Sequence, residues 1–158
     1  MVTPSPSTLV HSVKKPNWRI DVHRPEGVDD VRRFTVFLTG VVAPDFHRSR
    51  FMEMGVFIGF TRGVLHAREQ LPDLLADIEL EDVPLYPDAL DTVVAENSMF
   101  RIHFALSREC CSVEQVLAIY DADGDTAPML IATDAEIGEL CRDCSEVLAH
   151  FGIEQPAV

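Results

Sequence analysis

Four cysteines and six histidines are the residues of this chain best suited to bind metal, carry electrons or move protons. Cys141 and Cys144 stand in C-x-x-C spacing. A redox pair of that kind needs its first thiol at a helix N-terminus, where the dipole favours thiolate. The helical pattern here starts near Asp134, which puts Cys141 about two turns inside. Both cysteines also share an apolar stripe with Ile137 and Val147, and a free cysteine packs as a small hydrophobe. Interior packing is the simpler reading. Cys110 and Cys111 bring the thiols to the number that an all-cysteine zinc site uses. Adjacent cysteines suit one tetrahedral ion poorly, so zinc or redox sensing by Cys110, Cys111, Cys141 and Cys144 remains an alternative.

Asp121-x-Asp123-x-Asp125 has the look of an opening calcium loop. An EF-hand needs glycine at its sixth position and glutamate at its twelfth. Here Gly124 is fourth and Ala132 is twelfth, which leaves an acidic hairpin tip. The histidines form no HExxH pair. His47, His66 and His103 are the polar groups available to an apolar pocket between a sheet and the longest helix, the arrangement an enzyme or small-ligand binder would use. Glycine-rich phosphate loops and the G-x-S-x-G elbow are missing from the sequence. No catalytic residue and no cofactor is therefore nominated.

Charge is the most unusual global feature. The chain carries −13 overall, with ten Lys/Arg and six Asp/Glu in residues 1–68 but three and twenty in residues 69–158. That balance argues against nucleic acid, whose phosphates need clustered cations, and against an anionic membrane surface. The plain reading is a solvated surface that confers solubility. The functional reading is an anionic face for a basic protein, with Glu79, Glu81, Asp82, Asp121, Asp123 and Asp125 as its candidates. Charge of two signs also suggests a homodimer.

The elements that would position these groups follow from periodicity. Residues 1–15 are rich in Ser, Pro and Thr and read as a disordered lead. A single domain is expected over 16–155. Trp18, Ile20 and Val22 alternate with polar residues, which predicts a strand, and a second follows over 33–42. Asp45 is a plausible N-cap for the longest helix, running to about Gln70. Gly55, Gly59 and Gly63 line one stripe of it, which suggests a close neighbour. Pro72 opens a short helix to Ile78, and residues 88–96 read as a third.

Phe100, Ile102, Phe104 and Leu106 alternate as a strand, and residues 116–120 and 129–132 form a hairpin around Asp123-Gly124. Thr133 and Glu136 then make a capping box for the last helix. The expected fold is α+β, with order β-β-α-α-α-β-β-β-α and helices on one face of a mainly antiparallel sheet of about five strands. No apolar run is long enough to span a membrane, no signal segment is evident, and four cysteines are too few for a disulfide scaffold. The sequence thus points to a soluble, cytoplasmic, non-enzymatic protein-binding module of the adaptor, inhibitor, immunity or chaperone kind.

Overall fold

The computed structural model describes residues 7–43, 46–85, 88–96, 100–109, 112–121 and 128–153. The first half contains β1 (Ser7–Lys14), β2 (Trp18–Pro25), a 3-10 turn (Val31–Arg33), β3 (Thr35–Ala43), β4 (Phe46–Glu53) and α1 (Met54–Ala76). The second half contains a 3-10 turn (Leu80–Asp82), β5 (Leu90–Glu96), β6 (Phe100–Glu109), β7 (Ser112–Asp121), β8 (Leu130–Thr133) and α2 (Asp134–His150). The chain thus traces ββββα twice. Each set of four strands forms its own antiparallel meander, ordered β1-β2-β3-β4 and β5-β6-β7-β8. The α+β class and the antiparallel pairing agree with the sequence reading. The single five-stranded sheet and the four helices expected give way, among the described residues, to two sheets and two helices. Among the described residues no helix is long and apolar enough to cross a membrane.

The differences fall at particular segments. Ser7–Lys14, expected within a disordered lead, pairs with β2 as an edge strand; its polar composition suits a strand with one free edge. Phe51 and Met52, expected inside the longest helix, alternate on a strand instead. Met52 points into the core and Phe51 is 70% exposed. Helix α1 therefore begins only at Met54, whose N–H donates to Phe34 O at 2.8 Å. Asp45, the expected N-cap, lies outside the described residues. Pro72, expected to separate two helices, lies inside α1, although proline lacks the donor for an i→i−4 bond. Residues 88–96, expected as a helix, supply β5, and Thr92, Val93 and Val94 make a β-branched run that suits a strand.

The two sheets share one apolar cluster with both helices. Trp18, Ile20, Val22, Val36, Leu38 and Met52 come from the first sheet; Phe100, Ile102, Phe104, Leu117, Ile119 and Leu130 come from the second. Helix α1 buries Met54, Phe57, Phe60, Thr61, Val64 and Ala67 at three- and four-residue spacing. Helix α2 buries Ile137, Leu140, Cys141, Cys144, Val147 and Leu148. Full burial of one such apolar side chain contributes about 1.5–3 kcal/mol.

The close approach expected along the α1 glycines is not found at Gly55 or Gly59. A Cβ on Gly59 would meet nothing within 4 Å, and one on Gly55 only Arg32 O at 3.7 Å. At Gly40 of β3 a Cβ would collide with Met129 O and stand 2.9 Å from Leu130 Cα. The sheets meet at that point, backbone against backbone.

Candidate functional site

Both described thiols lie in the interior. Cys141 and Cys144 are free and buried, and Cys141 Sγ lies 3.9 Å from Val64 O of α1. Burial pushes both thiols up, with Arg68 opposing the effect at Cys141. A thiol held protonated is a poor nucleophile and a poor ligand. Cys110 and Cys111 lie outside the described residues. Among the described residues no group of three or more His, Cys, Asp or Glu is placed to hold a metal ion.

The three pocket histidines sit on three elements. His47 is exposed on β4, His66 is exposed on α1, and His103 is buried on β6. Only His103 has a built environment. Its Nδ1 lies 2.9 Å from Asp91 Oδ1 across the β5–β6 hairpin, and its ring is 4.8 Å from that of Tyr120 on β7. Its Nε2 is sealed from solvent and finds no partner among the described residues. Burial, then the charge of Asp91, raises the pKa of the Tyr120 hydroxyl, while Arg101 pulls the other way.

An Asp–His pair can orient an imidazole and hold a proton on it, but a sealed Nε2 offers no atom to a substrate. An open depression of about 420 Å³ lies against Thr8, Arg24, Pro25, Glu26 and Gly27, and none of the three histidines lines it. The sequence pointed to His103 but not to Asp91, because the partner's segment reads as a helix. Read as a strand, Asp91 falls diagonal to His103, within reach for a long side chain.

Two further histidines form a pair that their spacing in the chain does not reveal. His11 of β1 stacks on His150 at the end of α2, with centroids 3.9 Å apart, and Phe151 meets both rings edge-on. Burial lowers the His11 pKa, the charge of His150 lowers it further, and Glu146 opposes both. Nearby, buried Asp143 of α2 accepts a hydrogen bond from Trp18 Nε1 at 2.9 Å, with Lys15 Nζ 4.0 Å away. These contacts fasten β1 and β2 to the last helix.

The acidic candidates divide. Asp121 ends β7, and the hairpin tip with Asp123 and Asp125 lies outside the described residues. Glu79, Glu81 and Asp82 are all exposed around the 3-10 turn Leu80–Asp82. They belong to a longer stretch. From Glu69 to Glu96 the chain carries nine Asp/Glu and no Lys/Arg, and all nine acidic residues are exposed. Leu80, Leu85 and Val93 stand exposed among them at 43%, 56% and 51%. Asp73 and Asp77 crowd the C-terminus of α1, whose last turn has no basic residue. The negative end of the helix dipole disfavours carboxylates there. The chain matches no protein-family model and no curated protein sequence.

Proposed function

We propose that the chain is a non-enzymatic protein-binding module whose acidic stretch, centred on Glu79, Glu81 and Asp82, engages a basic and partly apolar protein partner. The observation that carries this reading is the run of nine exposed acidic residues with no Lys or Arg between them, set around exposed Leu80, Leu85 and Val93. The carboxylates at the end of α1 add to it, since a cation from outside would relieve repulsion that the helix's own last turn leaves unopposed. Long-range attraction would steer the partner, and the leucines would supply apolar anchors once it arrives. Adaptors, inhibitors, immunity-type proteins and chaperones work in this way. A reducing cytoplasm is the proposed setting, and the free thiols of Cys141 and Cys144 support it.

The test uses fluorescence anisotropy with a lysine-rich amphipathic peptide and an equally charged peptide lacking apolar residues. The amphipathic peptide is expected to bind the more tightly, and to weaken about tenfold when salt rises from about 50 to about 300 mM. The triple variant Glu79→Lys, Glu81→Lys, Asp82→Lys should lose most of the binding, and Leu80→Ser a smaller part. Equal affinity of the triple variant and the parent chain would end this reading.

A further inference from the structure

The surface opposite the core of the first sheet is a separate feature. Every buried residue described on these strands lies on one face: Trp18, Ile20 and Val22 of β2, Val36, Leu38 and Gly40 of β3, and Met52 of β4. The other face carries a diagonal apolar row across all four strands. Leu9 of β1 pairs with His23 of β2. The His23 ring meets Phe37 of β3 edge-on at 5.0 Å, and Phe37 lies 6.1 Å from Phe51 of β4. Phe51 is 70% exposed and Leu9 47%. A strand residue's direction follows from alternation, so Phe51 cannot turn inward while Met52 stays buried.

The charges around this row decide what can cover it. Lys14 and Arg19 balance Asp21 and Glu53 on the same face, and Arg19 is paired with Asp21 at 2.7 Å. The face is therefore neutral on a chain whose net charge is −13. Two copies repel each other through their acidic halves, and a neutral apolar face is where they can approach at least cost. Four strands of eight or nine residues, spaced about 4.8 Å apart with a rise of about 3.3 Å per residue, present roughly 500 Å² of flat face. Two copies would bury about 1,000 Å², the low end for a specific interface.

We infer that this face pairs with the same face of a second copy, giving a weak two-fold dimer of stacked sheets. The two copies present identical patches, so the contact is isologous and closes at two. The row Leu9, His23, Phe37 and Phe51 forms its centre. This surface is distinct from the acidic stretch, so either proposal can fail alone.

Sedimentation velocity on the full chain, across about 1 to about 500 μM, tests it over the range expected of a small interface. The mass should rise from 17.6 kDa toward twice that value as concentration increases. Added salt should strengthen the association or leave it unchanged, because it screens repulsion between like-charged copies. Phe51→Glu should raise the dissociation constant at least about tenfold, since it buries one carboxylate from each copy against the apolar face. Circular dichroism matching the parent chain would show that the variant folds. Leu9→Lys, at a smaller and less exposed apolar side chain on the opposite edge strand, should weaken the dimer less. A monomer at every concentration would overturn the inference. So would a dimer that Phe51→Glu leaves intact, or one that salt and the Glu79→Lys, Glu81→Lys, Asp82→Lys variant dissolve, since either would place the contact elsewhere.

Discussion

In the first ββββα unit the strands carry five Lys/Arg and two Asp/Glu; in the second they carry two and five. The order of elements is the same, and so is the antiparallel meander. The surfaces differ. The first unit shows a neutral aromatic face, and the second begins with an exposed acidic stretch that holds exposed leucines. The inward positions of each strand set the topology, since they alone must be apolar and matched in volume. Outward positions are free to take opposite charge without disturbing the fold. The units also differ in what holds them. The first is tied to α2 of the second through Trp18–Asp143 and His11–His150, so neither unit keeps its core to itself.

The largest expected effect breaks the joint between the units. Gly40→Val drives a side chain into the backbone of Met129 and Leu130, and should cost about 3 kcal/mol or more, an overpacking penalty. Urea unfolding should show a lower midpoint in one transition. Gly59→Ala is the control: with open space at its Cβ, it should gain up to about 1 kcal/mol. A midpoint unchanged by Gly40→Val would mean that the sheets do not meet there.

Next comes the tie between β2 and α2. Trp18→Phe removes the donor to buried Asp143 and should cost roughly 1.5–3 kcal/mol, the range for a hydrogen bond to a charged group. Lys15 is too far to replace the bond in full. A loss no greater than a surface substitution gives would reduce Asp143 to a bystander.

The His11–His150 stack should make the same junction sensitive to acid. Burial holds the folded-state pKa of His11 below that of a free imidazole, so the unfolded chain takes up the proton more readily. Stability is then complete above about pH 6.5 and declines as pH falls below it. Thermal melts from neutral pH downward should show a gentler decline for His11→Phe than for the parent chain. Parallel curves would remove His11 from the account.

The smallest effect is expected at the acidic stretch. Reversing Glu79, Glu81 and Asp82 should shift stability by no more than about 0.5 kcal/mol at each exposed site, while the peptide affinity changes strongly. A large loss of stability would give these residues a structural part and weaken the contrast between the units.

Several elements were legible in the residues themselves. The alternation of Trp18, Ile20 and Val22, the strand from Phe100, the antiparallel pairing of β7 with β8 and the Thr133–Glu136 capping box appear as read, while the Asp123-Gly124 turn lies outside the described residues. In each, local periodicity and the burial pattern agree. The readings that failed rest on local signals that tertiary contacts overrode: Ser7–Lys14 looked too polar to order, and Pro72 looked like a break between helices. Phe46–Glu53 and Leu90–Glu96 became strands because neighbouring strands offered them hydrogen bonds. The candidate site divides in the same way. The exposed carboxylates of Glu79, Glu81 and Asp82 could be read from charge alone, while Asp91 beside His103 could not.

The sequence by itself determined composition, the polarity of the two halves, the cap of α2 and the inward stripe that holds Cys141 and Cys144. These depend on neighbours within a few turns of chain. Tertiary structure decided that β1 pairs, that Phe51 faces outward, that Gly40 receives a neighbouring backbone and that Asp143 lies beside Trp18. Those outcomes arise between residues far apart in the chain, where strand pairing and shared burial outweigh local preference.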